Sequence, residues 1–416
     1  MNLTITPTKL QGTVTPPPSK SQAHRLLIAA ALGGGVSAIT GLGDSQDIAA
    51  TRRCLSALGA RSDDLPPSTV QVHGLGNASV EAGPAPVLDC GESGSTLRFL
   101  IPLALLVNGE AAFTGHGRLM ERPLKPYEDL FREKGISWKI EDGVLRVDSG
   151  RGHDRLALDP GEYRLPGNVS SQFFTGLLFA LPLLDGDSTL VPTTPLESRD
   201  YLELTRQVQA LAGVVSQWQG DTLFIPGGQR YQPFDASVEA DWSQAAFWYA
   251  ANFLGSQVDI QGLDPRSTQG DRAVSGYCSF LARPGELELD VSGCPDLLPP
   301  LAVMAAARRG DTCFTHAARL RMKESDRLRT TAALLTALGA QAEEGPDFLR
   351  VRGGPLTGGT VDGANDHRIV MAAAIAATRC AGPVTILGAE CVAKSYPGFW
   401  EDYRMLGGNI YEYLGA

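Results

Sequence analysis

The chain has 416 residues, of which 43% are hydrophobic and 20% are charged, with a formal net charge of −10 and a pI of about 5.2. This composition is typical of folded globular proteins and excludes a wholly disordered chain, while the length predicts two domains. The acidic balance argues against binding to nucleic acid or to an anionic membrane, so we expect neither as a partner.

The N-terminus and the cysteines indicate a cellular compartment. MNLTITPTKL lacks the apolar core of a signal peptide, and the longest apolar stretches, such as 99–107, are far shorter than a membrane span. The seven cysteines are scattered, and no two have CxxC spacing. We therefore predict reduced thiols in a cytoplasmic protein, and we expect it to be a monomer.

A repeated pattern divides the chain. A helical segment that ends in Leu-Gly-Ala or a similar tag is followed by a strand, a turn and a second strand, most clearly over 334–353. Glycine suits the left-handed residue that ends a helix, and Asp142-Gly143 and Gly220-Asp221 suit tight hairpin turns. The tag glycines lie near positions 59, 135, 213, 339 and 407. The pattern predicts about six copies of one α/β unit, three in each half.

Polar loops rich in basic and hydroxyl side chains precede most of the apolar helical patterns. They are Ser19–Arg25, Gly91–Arg98, Glu121–Pro123, Asn168–Gln172, Arg321–Arg327, Asn365–Arg368 and Lys394-Ser395. A helix N-terminus offers unpaired N–H groups and partial positive charge, so hydroxyl and basic side chains there form an anion site. Several such loops in an acidic chain predict a substrate with more than one anionic group.

Lysine usage points to the same loops. The chain has seven lysines against 29 arginines, and Lys20, Lys323 and Lys394 all lie in these polar segments. A lysine kept where arginine is the usual cation indicates a task that needs a compact ammonium group. The chain lacks GxxxxGK[ST], GxGxxG after a strand, HExxH and GxSxG, which argues against a nucleotide, metal or serine-hydrolase site; we expect neither metal nor cofactor.

The ordered loop motifs resemble one enzyme family. PPPSKSQAHR, GESGSTLR, RLMERP, NVSSQF, STQGD, LRMKESDRL, NDHRIVMAAA and AKSYP are similar to the motifs of 5-enolpyruvylshikimate-3-phosphate synthases, from about residue 16 to about residue 400. The resemblance implies transfer of the enolpyruvyl group of phosphoenolpyruvate to the 5-hydroxyl of shikimate 3-phosphate, with release of phosphate, in the shikimate pathway to chorismate and the aromatic amino acids.

The resemblance also implies a fold. We expect an α/β protein of two similar domains, each built from three βαβαββ repeats in an inside-out α/β barrel, which close over the substrates. Residues 1–15 and 236–416 would form one domain and residues 20–230 the other. Hinge segments would cross near 16–19 and 231–235, where proline-rich sequence is stiff in φ.

Matching positions imply the substrate contacts. The residues implied for shikimate 3-phosphate are Lys20, Ser21, Arg25, Ser170, Ser171, Gln172, Ser198, Tyr201, Asp296 and Lys323. Those implied for phosphoenolpyruvate are Lys20, Gly94, Arg122, Gln172, Arg327, Arg368 and Lys394. Asp47, His367 and Glu92 are further candidates for the site.

Asp296, Glu324 and Lys20 are the implied catalytic residues. The reaction requires one proton to reach the methylene carbon of phosphoenolpyruvate and another to leave the attacking hydroxyl, and two carboxylates suit these tasks. Asp296 would be the general base and Glu324 the proton donor. Lys323 and Arg327 favour the charged form of Glu324, so bound anions or exclusion of water must offset them.

Three positions depart from the family pattern, and two other functions stay open. Glu92 replaces an Asn, Ser93 replaces a small apolar residue, and Arg319 lies where some members have a substrate-binding Asn. One alternative is the sister transferase that acts on UDP-N-acetylglucosamine, which carries KNA after its first lysine and a reactive cysteine. This chain has KSQAHR and no cysteine over 116–122. The other alternative is a non-catalytic anion-binding protein of the same fold.

Overall fold

The computed structural model describes residues 1–76, 84–150 and 158–412. The chain divides into two compact units: unit 1 comprises residues 1–19 and 239–416, and unit 2 comprises residues 20–238. The second boundary lies a few residues after the expected segment 231–235. The reason is that Tyr231 is buried in the core of unit 2 and the strand Asp235–Ser237 pairs there with Val36–Thr40.

Helices and strands alternate along most of the chain. The α-helices are α1 (Lys20–Leu32), α2 (Gln46–Ala57), α3 (Gly94–Asn108), α4 (Lys125–Glu133), α5 (Ser171–Ala180), α6 (Arg199–Leu211), α7 (Trp242–Phe253), α8 (Val274–Leu281), α9 (Leu298–Ala307), α10 (Arg327–Ala337), α11 (His367–Ala377) and α12 (Phe399–Met405). The strands are β1 (Leu3–Thr6), β2 (Gln11–Val14), β3 (Val36–Thr40), β4 (Arg61–Leu65), β5 (Thr69–His73), β6 (Val87–Asp89), β7 (Glu110–Thr114), β8 (Ser137–Glu141), β9 (Val144–Asp148), β10 (Gly161–Leu165), β11 (Ser188–Pro192), β12 (Gln217–Gln219), β13 (Thr222–Ile225), β14 (Asp235–Ser237), β15 (Gln257–Ile260), β16 (Leu287–Asp290), β17 (Asp311–Thr315), β18 (Gln341–Glu344), β19 (Leu349–Arg352), β20 (Gly359–Asp362), β21 (Val384–Leu387) and β22 (Asn409–Glu412).

Unit 2 contains three sheets of one design. Their strand orders are β14-β3-β5-β4, β6-β7-β9-β8 and β10-β11-β13-β12. In each sheet the first two strands are parallel and are joined to the rest by antiparallel pairing, with a hairpin supplying the last two strands. In the second and third sheets a helix, α3 or α5, crosses between the two parallel strands, so each of these sheets with its two helices is one contiguous βαβαββ repeat. In the first sheet, β14 from the end of the unit supplies the strand that is parallel to β3.

Unit 1 repeats this design with one variation. Sheets β20-β21-β1-β22 and β16-β17-β19-β18 follow the same pattern, with β1 from the N-terminus completing the first. The third sheet pairs only β2 with β15 among the described residues. Residues 282–286 alone separate α8 from β16, which leaves no room for a hairpin. The expected α/β class and six-fold repeat are confirmed, with one shortened copy.

Local signals behind the repeat also match the structure. Asp142 and Gly143 both have positive φ, 50° and 75°, as a two-residue hairpin turn between β8 and β9 requires. The five tag glycines all have positive φ, between 76° and 105°. Four of them end helices that precede a hairpin, and Gly407 ends α12 before the single strand β22.

Alternate helices form the core of each unit. α1, α3 and α5 in unit 2, and α7, α9 and α11 in unit 1, are apolar on nearly all sides and almost fully buried. In unit 1 these three helices pack against one another, and in unit 2 α3 packs on α5. Sheet strands contact α1, α3, α7, α9 and α11. The first turns of the core helices are consequently held by the packing of each unit.

None of the helices in the described ranges is long and apolar enough to span a membrane.

Candidate active site

Three core helices of unit 2 begin at residues predicted for the site. Lys20 is the first residue of α1, Gly94 the first of α3 and Ser171 the first of α5. The N–H groups in a first helical turn have no intrahelical partners, and they carry partial positive charge. These helix starts are therefore suited to bind anions.

Serine side chains cap two of these helices. The Ser93 hydroxyl accepts a hydrogen bond from Thr96 N at 3.2 Å, and the Ser170 hydroxyl accepts one from Gln172 N at 3.3 Å. Such caps fix the entry of the chain into the helix. Ser170 thus has a structural task in the absence of ligand.

Lys20 forms an ion pair with Asp47 at the start of α2. Nζ of Lys20 lies 2.7 Å from Oδ2 of Asp47, and the side chains are only 16% and 11% exposed. The structure therefore brings together two predicted residues that are 27 positions apart. The pair orients the ammonium group and reduces its conformational freedom.

Arg25 is buried and held by its own unit. Its guanidinium donates to Thr205 Oγ1 (2.8 Å), to the carbonyl of Ser21 (2.7 Å) and to the carbonyl of Tyr201 (3.1 Å), and it lies over the ring of Phe99. Burial lowers the pKa of Arg25 to about 10, although Tyr201 opposes the shift. The contacts join the start of α1 to α6.

Arg122 lies directly against Gly94. A Cβ at position 94 would be 2.8 Å from both Cζ and Nη1 of Arg122, which is closer than carbon and nitrogen atoms approach without displacement. Arg122 is 8% exposed and follows the short helix Leu119–Glu121. A glycine at the start of α3 therefore allows the guanidinium to lie over the helix N-terminus.

Gln172 is oriented by two neighbours. Arg98 Nη1 donates to its Oε1 at 2.7 Å, while its Nε2 donates to Ser95 Oγ at 2.9 Å. Arg98 also lies over the ring of Phe173. The amide of Gln172 is thus fixed in one orientation between α3 and α5.

Ser198 has an unusual backbone conformation. Its φ and ψ are 55° and 47°, the left-handed region that a non-glycine residue rarely adopts, and it immediately precedes α6. Such conformations are concentrated at functional sites. Tyr201, in the first turn of α6, has its ring 5.8 Å from the Arg25 guanidinium carbon. Tyr201 therefore lies beside Arg25, and its N–H donates to the Ser198 carbonyl at 3.2 Å.

Glu92 is directed toward Gly117. A Cβ at Gly117 would lie 2.7 Å from Oε2 of Glu92. The carboxylate thus packs on the loop that leads to Arg122. Glu92 is half-buried in the turn before α3.

In unit 1, Arg327 connects three carboxylates. Its Nε lies 2.8 Å from Asp366 Oδ2, its Nη1 2.7 Å from Asp296 Oδ1, and its Nη2 2.5 Å from Glu324 Oε2. Arg327 is 1% exposed and Asp366 is fully buried. Burial alone would lower the pKa of Arg327, but the three carboxylates raise it above its ordinary value. This guanidinium is permanently charged and rigidly held.

Asp296 receives cations from three directions. Lys323 Nζ lies 3.1 Å from Oδ1, while Arg368 Nη2 lies 3.5 Å from Oδ2 and Arg368 Nη1 donates to the Asp296 carbonyl at 3.1 Å. Burial would raise the pKa of the Asp296 carboxyl, but Lys323, Arg368 and Arg327 together hold it well below its ordinary value. In this structure the carboxylate is ionised and is a weak base.

For the pKa of Lys323, the effect of burial outweighs the effect of the neighbouring charges. Burial lowers its pKa to about 8, against the raising effect of Asp296 and with further lowering by Arg327. Its ammonium group is therefore easier to deprotonate than that of an ordinary lysine. Lys323 is charged at neutral pH and begins to lose its proton in mildly alkaline solution.

The start of α11 holds the remaining predicted residues. Asp366 caps the helix by accepting from Arg368 N at 3.0 Å, and His367, 1% exposed, is the first helical residue. Lys394, 5% exposed, donates to the carbonyl of Asn365 at 2.8 Å. The loop before α11 therefore joins Lys394 to the cluster around Arg327.

Arg319 contacts the segment that leads to Asp296. The guanidinium is 6% exposed, and its Nη2 donates to the carbonyl of Ser292. Arg319 also lowers the pKa of Lys323, after the larger effects of burial and of Arg327. This departure from the family pattern occupies a supporting position beside the cluster.

The model of one protein family matches most of the chain. The family is EPSP synthase (3-phosphoshikimate 1-carboxyvinyltransferase), and the match covers residues 5–277 and 283–403. The chain belongs to the EPSP synthase family.

Relatives of similar length agree with this result. The chain is 44% identical to the 3-phosphoshikimate 1-carboxyvinyltransferase of Clostridium kluyveri, over 99% of this chain and 98% of the relative. It is 41% identical to the enzyme of that name from Clostridium novyi, over 99% of both. The predicted family is therefore confirmed.

Solved structures show the same fold. EPSP synthase from Acinetobacter baumannii matches with a TM-score of 0.79 at 24% identity, over 99% of this chain and 100% of that one. The enolpyruvyl transferase NikO from Streptomyces tendae matches with a TM-score of 0.77 at 20% identity, over 100% and 99%. At these identities the likeness supports the two-domain EPSP synthase fold alone.

The predicted residues fall into two clusters, one in each unit. Unit 2 holds Lys20, Ser21, Arg25, Asp47, Glu92, Gly94, Arg122, Ser170, Ser171, Gln172, Ser198 and Tyr201. Unit 1 holds Asp296, Lys323, Glu324, Arg327, His367, Arg368 and Lys394. Within residues 1–76, 84–150 and 158–412, no group of three or more His, Cys, Asp or Glu side chains is placed to hold a metal ion.

Two residues of these clusters had no predicted role. Asp366 binds Arg327 and caps α11, and Arg98 orients Gln172. A signal existed for Asp366, because an Asp immediately before an apolar helical pattern is a typical N-cap. Arg98 lies one helical turn after Gly94, but its contact with Gln172 depends on packing of α3 on α5, which the sequence does not reveal.

Proposed function

We propose that this chain transfers the enolpyruvyl group of phosphoenolpyruvate to the 5-hydroxyl of shikimate 3-phosphate, giving 5-enolpyruvylshikimate 3-phosphate and phosphate. It would thereby act in the shikimate pathway to chorismate and the aromatic amino acids. The family match and the full-length relatives named 3-phosphoshikimate 1-carboxyvinyltransferase support this activity.

One observation in the structure carries the chemistry. Asp296 and Glu324 bind adjacent nitrogens of the same guanidinium, Nη1 and Nη2 of Arg327, at 2.7 and 2.5 Å. Two carboxylates with different surroundings are suited to separate proton transfers. Asp296 forms ion pairs with Lys323, Arg368 and Arg327, and Glu324 forms one with Arg327.

The first half of the reaction is an addition. Asp296 accepts the proton of the 5-hydroxyl, whose oxygen forms a bond to C2 of phosphoenolpyruvate. Glu324 donates a proton to the methylene carbon C3, which becomes a methyl group. The product of this half is a tetrahedral intermediate in which C2 still carries the phosphate.

The second half is an elimination. The methyl group returns a proton to Glu324 while the bond between C2 and the phosphate oxygen breaks, which restores the double bond. The phosphate leaves with the bonding electron pair, and the proton held by Asp296 is available to neutralise it. One proton is thus carried by each carboxyl group.

The low pKa of Asp296 sets a condition on this mechanism. Lys323, Arg368 and Arg327 make Asp296 a weak base in the absence of ligand. Anionic substrates bound to these cations would offset their charge and would raise the pKa of Asp296. The base would therefore become active only when the substrates are present.

We assign the anionic groups of the substrates to the cationic and hydroxyl residues of both units. Phosphoenolpyruvate would contact Arg327, Arg368 and Lys394 in unit 1 and Lys20, Gly94, Arg122 and Gln172 in unit 2. Shikimate 3-phosphate would contact Asp296 and Lys323 in unit 1 and Lys20, Ser21, Arg25, Ser170, Ser171, Gln172, Ser198 and Tyr201 in unit 2. Arginine forks and helix N-termini support these assignments, since both favour carboxylate and phosphate oxygens. Asp47 would orient Lys20, and His367 would lie at the site in the first turn of α11.

The activity is tested by measuring phosphate release from phosphoenolpyruvate. We expect release with shikimate 3-phosphate as the acceptor and none with UDP-N-acetylglucosamine. The Asp296→Asn variant serves as a control for contaminating phosphatase, because it should bind ligand but lose turnover. Release with the nucleotide sugar alone would contradict the proposal.

We further propose that the protein acts as a monomer in the cytoplasm. The cysteines support this location, because all seven are free thiols and five of them are buried. Light scattering during size-exclusion chromatography would test the monomer, and a mass near twice 44.2 kDa would contradict it.

A further inference from the structure

A buried chain of hydrogen bonds crosses three helices of unit 2. His24 Nδ1 lies 2.7 Å from Thr51 Oγ1, Thr51 Oγ1 lies 2.7 Å from Thr96 Oγ1, and Thr96 Oγ1 lies 2.8 Å from Ser93 Oγ. All four residues are fully buried. The chain runs from α1 through α2 to the N-cap of α3. We call it the threonine chain.

The geometry fixes the direction of the threonine chain. The hydroxyl of Thr96 donates to Ser93, so its oxygen accepts from the hydroxyl of Thr51. Thr51 in turn must accept from an N–H at Nδ1 of His24. Burial, with Lys20 and Arg25 nearby, holds the pKa of His24 well below its ordinary value, which keeps the imidazole neutral. A neutral ring can carry its proton at Nδ1.

Each member lies one helical turn or less from a residue of the unit 2 cluster. His24 is four residues after Lys20, Thr51 is four residues after Asp47, and Gly94 lies between Ser93 and Thr96. The Lys20–Asp47 ion pair joins α1 to α2 at their first turns, and His24–Thr51 joins them one turn deeper. Two parallel links therefore define how α1 and α2 are aligned, and the second link continues to α3.

We propose that Thr51 and Thr96 are positioning residues for phosphoenolpyruvate, holding the starts of α1 and α3 in register so that Lys20 and the backbone at Gly94 face the same anion. This inference rests on the proposed function. Neither threonine touches the substrate in this scheme. They act through the helix starts that they join.

Hydrogen bonding, and not packing alone, explains why threonine is present at positions 51 and 96. Valine has nearly the shape of threonine and would fill the same space without a polar group to bury. A buried hydroxyl is tolerated only when it is hydrogen-bonded, and removing one partner leaves the others unsatisfied. A network of this kind specifies one arrangement of its helices. Substrate binding is sensitive to that arrangement, because small displacements of binding groups have large effects.

The test compares Thr51→Val and Thr96→Val with Thr51→Ser, which keeps the hydroxyl. We expect both valine variants to raise the KM for phosphoenolpyruvate about 10-fold. Each variant loses a buried hydrogen bond that aligns the helices, and the free energy of one such bond corresponds to a factor of about 10 in affinity. Thr51→Ser should restore the KM to within about two-fold of the wild type. Thr312→Val is the matched control: Thr312 is also fully buried and accepts from Arg308 at 3.0 Å, but it lies in unit 1 on β17.

The double variant Thr51→Val/Thr96→Val separates alignment from general destabilisation. If the hydrogen bonds of the threonine chain act together, the double variant should raise the KM for phosphoenolpyruvate no further than either single variant does. An unchanged KM in both valine variants would overturn the inference, as would an equal rise in Thr312→Val. Failure of both valine variants to fold, with Thr312→Val folded, would also overturn it. Absence of activity in the wild type would instead contradict the proposed function.

Discussion

Arg327 and Asp366 form a two-point ion pair in the interior of unit 1. Nε of Arg327 lies 2.8 Å from Oδ2 of Asp366 and Nη2 lies 3.2 Å from Oδ1, and the two side chains are 1% and 0% exposed. Ser325 Oγ donates to the same carboxylate at 2.9 Å. Burial would raise the pKa of Asp366, but Arg327 lowers it. Asp366 therefore fixes the cation that Asp296 and Glu324 share.

Replacing Asp366 by Asn should destabilise unit 1. The amide keeps the shape but leaves Arg327 with less compensating charge, and breaking a buried ion pair costs about 3 kcal/mol or more. Urea unfolding of the variant should therefore show a lower midpoint. The matched control is Asp311→Asn, since Asp311 also binds two nitrogens of one arginine, Arg352, at 3.1 and 3.0 Å, but on the surface. Equal effects in the two variants would contradict the importance of burial.

The sequence predicted the local structure well because local structure depends on neighbours in the chain. The Asp142-Gly143 turn is specified by two adjacent residues, and both have the positive φ that this turn requires. The buried character of α11 follows from a continuous apolar pattern after Arg368. Repetition of such signals was sufficient to predict six copies of one unit.

Pairing between distant residues could not be predicted in the same way. Asp366 and Arg327 are 39 residues apart, and Arg98 and Gln172 are 74 residues apart. Each pairing depends on how two helices pack, and many carboxylates could equally well have met a given arginine. The resemblance to the enzyme family identified Arg327 and Gln172 as site residues. The residues that orient these two side chains became evident only from the structure.

Activity should decline above a pH of about 8. Burial lowers the pKa of Lys323 to about 8, so the charged form is present below that pH and is lost above it. If the ammonium group binds substrate, kcat/KM should be constant on the acid side of pH 8 and should fall as pH rises through it. The measurement is a kcat/KM profile for shikimate 3-phosphate between pH 6.5 and about 10.

Lys323→Arg provides the control for this profile. A guanidinium does not titrate in this range, so the decline near pH 8 should disappear even if the absolute rate is lower. A decline that persists unchanged in Lys323→Arg would assign the titration to another group.

Gly94→Ala should weaken phosphoenolpyruvate binding selectively. The new Cβ would lie 2.8 Å from the Arg122 guanidinium, and Arg122 must move away from the start of α3. We expect the KM for phosphoenolpyruvate to rise about 10-fold or more, because a displaced charge no longer meets its ligand group. The KM for shikimate 3-phosphate should change much less.

Gly276→Ala is the matched control. Gly276 lies within α8, and a Cβ there meets no atom within 4 Å, so the substitution should leave both KM values unchanged. It should stabilise the protein by about 0.5–1 kcal/mol, as alanine generally does in a helix. A KM increase in Gly94→Ala that is no larger than in Gly276→Ala would contradict the role given to Arg122.

Glu324→Gln should separate binding from turnover. The amide oxygen of Gln can still accept from Arg327 Nη2, which Glu324 contacts at 2.5 Å, so the loop should keep its conformation. The side chain can no longer donate and retrieve a proton, and we expect kcat to fall about 10²- to 10⁴-fold. Titration calorimetry should show an almost unchanged Kd for shikimate 3-phosphate.

Glu344→Gln is the control, because Glu344 pairs with Arg321 at 2.5 Å outside the Arg327 cluster. Normal turnover in Glu324→Gln would remove Glu324 from the proton transfers and would leave Asp296 as the only carboxylate assigned to them.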